Sequence, residues 1–358
     1  MSRVPGEPPY LTYSSYLRER HGCKVYRVAV DAGFGCPNRE GGRSAGGCSF
    51  CSQAGSRAPY LGHDVRVERV PPYGVSAERV PPYAAPAGPA AGCPEMDRSL
   101  KVQIDGTISF LRRRYSAKGF ILYFQPYSNT NAPVEELQRV YDVGLALARF
   151  RGLNVATRPD CIDAAKARLL SSYRDRGLEV WVELGLQSIH DATLRRIGRG
   201  HTAEDFRRAY RLLREHGLKV AVHLIFGLPG EGSAQIMETV EEVAGLGIDG
   251  VKIHNLHVPR GTRLESELRK GEVTVPSAER HLEYCIAAIE RLPPRTVIMR
   301  LVCDTPRAEL AAPKSFWKKE SFTSRLAIEM ARRGTYQGRL FPALDRTNAV
   351  GLPLAQEA

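Results

Sequence analysis

Three of the eight cysteines in this chain are clustered: Cys36, Cys48 and Cys51, spaced C-x(11)-C-x(2)-C in a stretch rich in glycine. Such spacing serves several chemistries. Structural zinc wants four ligands, and Cys23 and His63, the nearest candidates for a fourth, stand at unhelpful spacings. A redox dithiol needs only Cys48 and Cys51 and leaves Cys36 without a role. An iron–sulfur cluster normally takes four thiolates, and a cubane held by three leaves one iron open to an outside ligand. On spacing alone, cluster, zinc and ordinary thiols carry comparable weight. Cys23, Cys93, Cys161, Cys285 and Cys303 are isolated and read as core or loop thiols.

The elements that must position these cysteines follow a repeated pattern from residue 24 to residue 303. A short β-branched or aromatic run leads to an amphipathic stretch, then to a glycine near the next run. Runs at 24–31, 119–126, 153–159, 178–187, 218–227 and 250–258 predict strands, with 296–303 a seventh candidate. Helices fit between them at about 97–115, 133–150, 163–176, 202–216, 233–246 and 276–291. Asn131-Ala132-Pro133 and Thr202 supply helix starts, and Gly152, Gly177, Gly217 and Gly247 supply stops. This alternation predicts a parallel sheet with helical crossovers. An open nucleotide-binding sheet would carry a glycine-rich phosphate turn after its first strand, and here the cysteine stretch takes that place. The expected fold is therefore α/β, a partial (β/α)6 TIM-type barrel with a cysteine loop after the first strand.

In such a barrel the chemistry gathers at the C-terminal ends of the strands. Alternation along the fourth strand puts Trp181, Glu183, Gly185 and Gln187 on one face and Val182, Leu184 and Leu186 on the other. Polar residues recur late in the other strands: Gln125, with Ser128 and Asn129 just beyond, then Arg158, His223, Lys252 and His254. A polar group near the end of every strand is costly to bury without a purpose, so a ligand-lined interior is expected. The run Gly227-Leu228-Pro229-Gly230-Glu231 after the fifth strand lets backbone approach a flat ligand closely.

These residues carry a resemblance. GCPNREGGRSAGGCSFC (35–51) resembles the cluster loop of the radical S-adenosylmethionine (SAM) superfamily. Its eleven-residue gap, with Pro37-Asn38-Arg39 and Gly46-Gly47, resembles the YhcC-like branch, related to the radical domain of the elongator catalytic subunit. YFQPYSNTNAPVEEL (123–137), ATRPDCI (156–162), VWVELGLQSIHDATLRRIGRGHT (180–202), HLIFGLPGE (223–231) and VKIHNLHVPRGT (251–262) are similar to that branch in the same order. The resemblance covers roughly residues 15–303. It implies that Cys36, Cys48 and Cys51 ligate three irons of a 4Fe-4S cluster, leaving the fourth to the amino and carboxylate groups of SAM. It further implies Phe50 near the adenine, with Ile225 to Glu231, including Gly227 and Gly230, along the adenine's border. Gln125 to Thr130, with Ser128 and Asn129, would meet the methionyl amine. Glu183 and Gln187 would face the ribose and methionine end, and Arg158 would line the pocket within reach of the SAM carboxylate. An external one-electron reductant would then drive cleavage of SAM to a 5′-deoxyadenosyl radical.

The chain also departs from that branch. Where branch members carry a tryptophan–cysteine pair after the last strand, AAPKSFWKKESF (311–322) has Trp317 and no cysteine. The stretch 61–96 is longer than the branch requires; its ERVPPY repeat at 68–73 and 78–83 reads as a Pro-rich insert without catalytic content. The expected organisation is an N-terminal extension (1–23), the barrel (24–303, with cluster loop and insert at 32–96) and a C-terminal extension (304–358). That last extension is too short for the acetyltransferase domain that accompanies the radical domain in the elongator subunit.

The chain has 358 residues, 43% hydrophobic and 25% charged, enough to bury a sizeable core, and no apolar run approaches the roughly 18 residues a membrane span needs. With no signal-like apolar start, a cytoplasmic location and no membrane partner are expected. A net charge of +12 favours a polyanion. Arg195, Arg196, Arg199 and His201 after the fourth strand, with Arg260 and Arg263 after the sixth, are the expected phosphate contacts. The leading reading is a radical SAM enzyme acting on RNA, tRNA first. The alternatives are a radical SAM enzyme on a small metabolite of porphyrin type, or a non-catalytic, metal-stabilised RNA-binding protein. A pure binder has no need of Glu183 and Gln187 facing inward.

Overall fold

The computed structural model describes residues 8–39, 47–51, 94–303 and 305–342. Seven strands form one parallel sheet in chain order: β1 (Val25–Val30), β2 (Gly119–Phe124), β3 (Gly152–Thr157), β4 (Glu179–Gln187), β5 (Lys219–Phe226), β6 (Gly250–Asn255) and β8 (Val297–Arg300). The sheet curls into a partial barrel, and the run at 296–303 supplies the seventh strand. Four expected strands end early, the 119–126 run at Phe124, the 296–303 run at Arg300 and two others at a change of structure. The 153–159 run stops at Thr157, where Pro159 starts a short 3-10 turn through Cys161, and the 250–258 run breaks after Asn255. Its tail becomes the two-residue β7 (Val258–Pro259), which pairs antiparallel with β9 (Leu310–Ala312).

The described helices flank the sheet, most of them on its outer face. They are α1 (Tyr13–His21), α2 (Pro94–Tyr115), α3 (Val134–Ala146), α4 (Ala164–Asp175), α5 (Asp191–Arg196), α6 (Ala203–Glu215), α7 (Ser233–Gly245), α8 (Arg263–Arg269), α9 (Ala278–Arg291) and α10 (Lys319–Arg332). Their ends follow local chemistry: Asp163 accepts from the Lys166 N–H to open α4, and Thr202 with Asp205 forms a reciprocal capping box on α6. Outward side chains of the strands (Val155, Val182, Leu184, Val222, Ile253) meet the apolar stripes of these helices in one core. Each fully buried aliphatic side chain there contributes about 1.5–3 kcal/mol. Phe322, Leu326 and Met330 of α10 are completely buried in the same core, so the segment after β8 packs as part of the barrel.

Inside, the base of the barrel is filled by α1, which the sequence patterning did not reveal. Thr12 caps it through the Ser15 N–H, and Gly22 closes it at φ +66°, a left-handed conformation that suits glycine. Tyr13 and Tyr16 set their rings nearly perpendicular to Trp181 of β4, at centroid distances of 6.1 and 5.7 Å. Leu17, Ile121 and Met299 complete this apolar floor. Just before α1, the Ile298 N–H donates to the Leu11 carbonyl at 2.8 Å, joining the N-terminal segment to the last strand of the sheet.

Candidate active site

The cysteine loop lies across the C-terminal mouth. Its descending part is held by backbone bonds from Ser49 N–H to the Ile197 carbonyl (2.8 Å) and from Leu264 N–H to the Ser49 carbonyl (3.2 Å), so it is gripped between the loop after α5 and the start of α8. Donors point at its sulfurs. Arg39 Nη2 lies 3.1 Å from Cys51 Sγ, Asn38 Nδ2 lies 3.4 Å from Cys48 Sγ, and Arg199 Nη1 lies 3.5 Å from the same atom. Burial pushes the Cys51 thiol up, against the pull of the Arg39 guanidinium. The rest of the loop, 40–46, lies outside the described residues, as do the 61–93 insert with its repeat and His63.

The strand ends below this loop are built from residues whose backbone or side chain is unusual. Gln187 sits at a register shift between β4 and β5 and adopts φ +77°, a left-handed conformation that non-glycine residues seldom hold. Its side-chain amide makes no hydrogen bond to the described residues. At Gly185, two residues earlier, an added Cβ would stand 2.6 Å from Arg199 Nη2, so the guanidinium occupies the space that the missing side chain leaves. Gly227 combines φ +89° with direct contact to Pro276, which fixes the turn after β5. There Glu231 accepts a hydrogen bond from Ser188, and burial raises its carboxyl above the usual range. Phe50 packs against the apolar cluster that includes Ile197, Ile225 and Leu228, which gives the mouth an apolar wall.

Other expected ligand residues hold the mouth together. Asn129 Nδ2 donates to the carbonyls of Phe124 (3.2 Å), Pro126 (2.9 Å) and Ala156 (2.9 Å), which pins the end of β2 to β3 and leaves its buried Oδ1 unpartnered. Ser128 is fully buried, and its N–H donates to the Gly35 carbonyl, tying this segment to the cysteine loop. Gln125 is buried at the end of β2. Arg158 gives two donors to Asp160 (2.9 and 2.7 Å) and a third to the Arg199 carbonyl (2.7 Å), a fork fixed in place by protein partners.

Glu183 is the hub of the interior. It is fully buried, and its carboxylate meets Lys252 of β6, Tyr123 Oη (2.6 Å), His223 Nε2 (2.9 Å), Asn154 Nδ2 (3.3 Å) and Arg27 Nη1 (3.5 Å). Lys252, His223 and Arg27 hold the carboxyl well below its usual range despite burial. The sequence placed Glu183 inward; the partners from β1, β2, β3, β5 and β6 required the fold. A buried ion pair broken on one side leaves its partner uncompensated. Glu183→Ala is therefore expected to cost about 3–5 kcal/mol in chemical denaturation. A loss below about 1 kcal/mol would mean the network adds little to stability.

The basic rim differs from the sequence expectation at two positions. Arg199 and His201 are buried, and both side chains reach the Gly185 carbonyl, Arg199 Nη2 at 2.7 Å and His201 Nε2 at 3.1 Å. They support the mouth from within and are not open to a phosphate. Arg195, Arg196, Arg260 and Arg263 are exposed.

Comparison with known proteins fixes the class. Residues 114–243 match the radical SAM superfamily and residues 248–332 the radical SAM C-terminal domain. Protein YhcC of Escherichia coli (strain K12) is 34% identical over 313 residues, covering 87% of this chain and 89% of that one. The chain belongs to the radical SAM superfamily, in its YhcC-like branch. This radical SAM protein is also 36% identical over 169 residues to a tRNA uridine(34) acetyltransferase of Dehalococcoides mccartyi, spanning 46% of this chain and 36% of that protein. Methanocaldococcus infernus Elp3 with an N-terminal deletion shares the fold, with a TM-score of 0.58 and 23% identity over 66% of this chain and 60% of that one.

The family's 4Fe-4S cluster and SAM suit the residues present. Three thiols on one loop, two of them (Cys48 and Cys51) met by two guanidinium groups and an amide, suit an anionic iron–thiolate centre. Among the described residues no three Cys, His, Asp or Glu side chains are gathered at metal-ligand distances. Below the sulfurs lie the unsatisfied Asn129 Oδ1, the unpaired Gln187 amide and the apolar Phe50–Ile225 wall, groups suited to a polar, partly aromatic ligand.

Proposed function

We propose that this radical SAM enzyme acts on RNA, with tRNA as the substrate class. Four exposed arginines on adjoining loops at the barrel mouth carry this reading. Arg195 and Arg196 end α5, Arg260 follows β7, and Arg263 begins α8 and donates to the Arg196 carbonyl, which ties the two loops into one basic rim. The net charge of +12 and the similarity to a tRNA uridine(34) acetyltransferase support the same partner.

In this reading Cys36, Cys48 and Cys51 hold the cluster, while Phe50 and Ile225 flank the adenine beside the Gly227–Glu231 turn. Gln125, Asn129 Oδ1 and the Gln187 amide face the polar end of SAM. Arg158 and Glu183 keep the pocket's walls in place through the bonds described above. Bound there, the cluster and SAM would supply, with one electron from an external reductant, a 5′-deoxyadenosyl radical and methionine. The residues of this chain orient that chemistry and exclude water from it.

A gel-shift series with tRNA from low to physiological salt tests the partner. Arg196→Ala and Arg263→Ala should each weaken binding and flatten the log–log salt slope by about 0.7–0.9 per true phosphate contact. Wild-type slopes in both variants, or wild-type protein that ignores tRNA, would remove RNA as the substrate.

A further inference from the structure

Among the described residues, the cations around Glu183 outnumber that carboxylate. Arg27 of β1 and Lys252 of β6 both bond Glu183. Arg300 of β8 does not. Among the described residues its half-buried guanidinium has no hydrogen bond and no ion pair, although its charge acts on Tyr123, His223, Lys252 and His254. A β-bulge puts it there. The register between β6 and β8 shifts after Val251, so Lys252 faces Arg300 and Met299 becomes the extra residue. Met299 already points into the interior floor, and simple alternation would send residue 300 outward into the helix layer. The bulge returns it inward instead.

A second unpaired group lies two residues further along β6 from Lys252, the partner of Arg300 in the ladder. His254 stacks on His223 at 5.5 Å, and its Nε2 is buried without a partner. Burial and the Arg300 charge hold the His254 imidazole well below its ordinary range, so the ring is neutral and offers one N–H. An unpaired guanidinium fork and an unpaired imidazole form a donor set without its acceptor.

We propose that Arg300 and His254 receive an oxyanion of the substrate, a carboxylate or a phosphate, inside the barrel. This rests on reading the interior as the chamber where substrate meets the radical. Glu183 cannot serve Arg300, because its oxygens are taken by Lys252, Tyr123, His223, Asn154 and Arg27. On the reading above, the SAM carboxylate would be held at the cysteine loop and would not reach Arg300. An anionic group on the substrate supplies the missing acceptor, and a neutral analogue leaves the guanidinium unpaired, which makes Arg300 a selector as well as an anchor.

The test is thermal unfolding of the full chain, wild type and Arg300→Gln, in chloride, acetate and phosphate at matched ionic strength. In chloride the variant should melt higher than wild type by about 2–4 °C, because an uncompensated interior cation is gone. Acetate or phosphate should raise the wild-type Tm and leave the variant unmoved, and the anion that responds separates a carboxylate-bearing from a phosphate-bearing substrate. If the variant melts lower in chloride, Arg300 has a structural role instead. If neither anion moves wild type, the interior has no oxyanion site. Either result overturns the proposal. The tRNA gel shifts read the exposed rim, so each reading can fail without the other.

Discussion

Cys36→Ala, Cys48→Ala and Cys51→Ala should each abolish the broad visible absorption of anaerobically reconstituted protein, with iron falling from about four per chain to near zero. Three thiolates already leave one iron open, and losing another exposes a second. Cys161→Ala and Cys285→Ala should keep the cluster. Cys285 is fully buried in α9 beside His281, at 3.4 Å from its Nε2. Binding of stoichiometric zinc with refusal of iron and sulfide would contradict the assignment of these three residues.

Acid should unfold this protein early. Burial lowers His201, His223, His257 and His281 to about 4, and His254 lies well below its ordinary range. In the unfolded chain a histidine titrates near 6.5. Between roughly pH 6.5 and 4 the unfolded state therefore binds protons that the folded state refuses, so stability is full above that window and falls with pH inside it. Each group contributes up to about 1.4 kcal/mol per pH unit, and four acting together approach about 5 kcal/mol per pH unit. That is comparable to the whole stability of a domain. Melting temperatures from pH 7.5 to 5 check it: a steep fall is expected below pH 6.5, and a flat profile would show that these rings are free to protonate in place. The depressed Glu183 carboxyl acts with the same sign at still lower pH.

The barrel was legible because its strands are bounded apolar runs and its larger helices carry clear stripes and caps. What escaped is instructive. Helix α1 buries only Tyr13 and Leu17, too narrow a stripe to register, although Thr12 and Gly22 mark its ends. Alternation predicted that Glu183 faces inward, but pairing it with Lys252 and Arg27 joins strands far apart in the chain. Charge counting put Arg199 and His201 on the rim; both turn under it toward the Gly185 carbonyl, where a glycine leaves room for the Arg199 guanidinium. The inward turn of Arg300 depends on a bulge, and a bulge has no signature in residue types alone.

The floor of the barrel has a consequence for how the chain is made. Leu11 N–H donates to Gln337 Oε1 at 2.7 Å across 326 residues, while the Gln337 amide holds the Pro293 and Thr296 carbonyls. The first helix therefore waits for nearly the last described residue before its seat is complete. During synthesis the early strands emerge long before β8 and Gln337, so the nascent barrel passes through a stage with its base unsealed and Trp181 uncovered. Cluster assembly at the opposite end need not wait for that closure, because Cys36, Cys48 and Cys51 all leave the ribosome before β2 does.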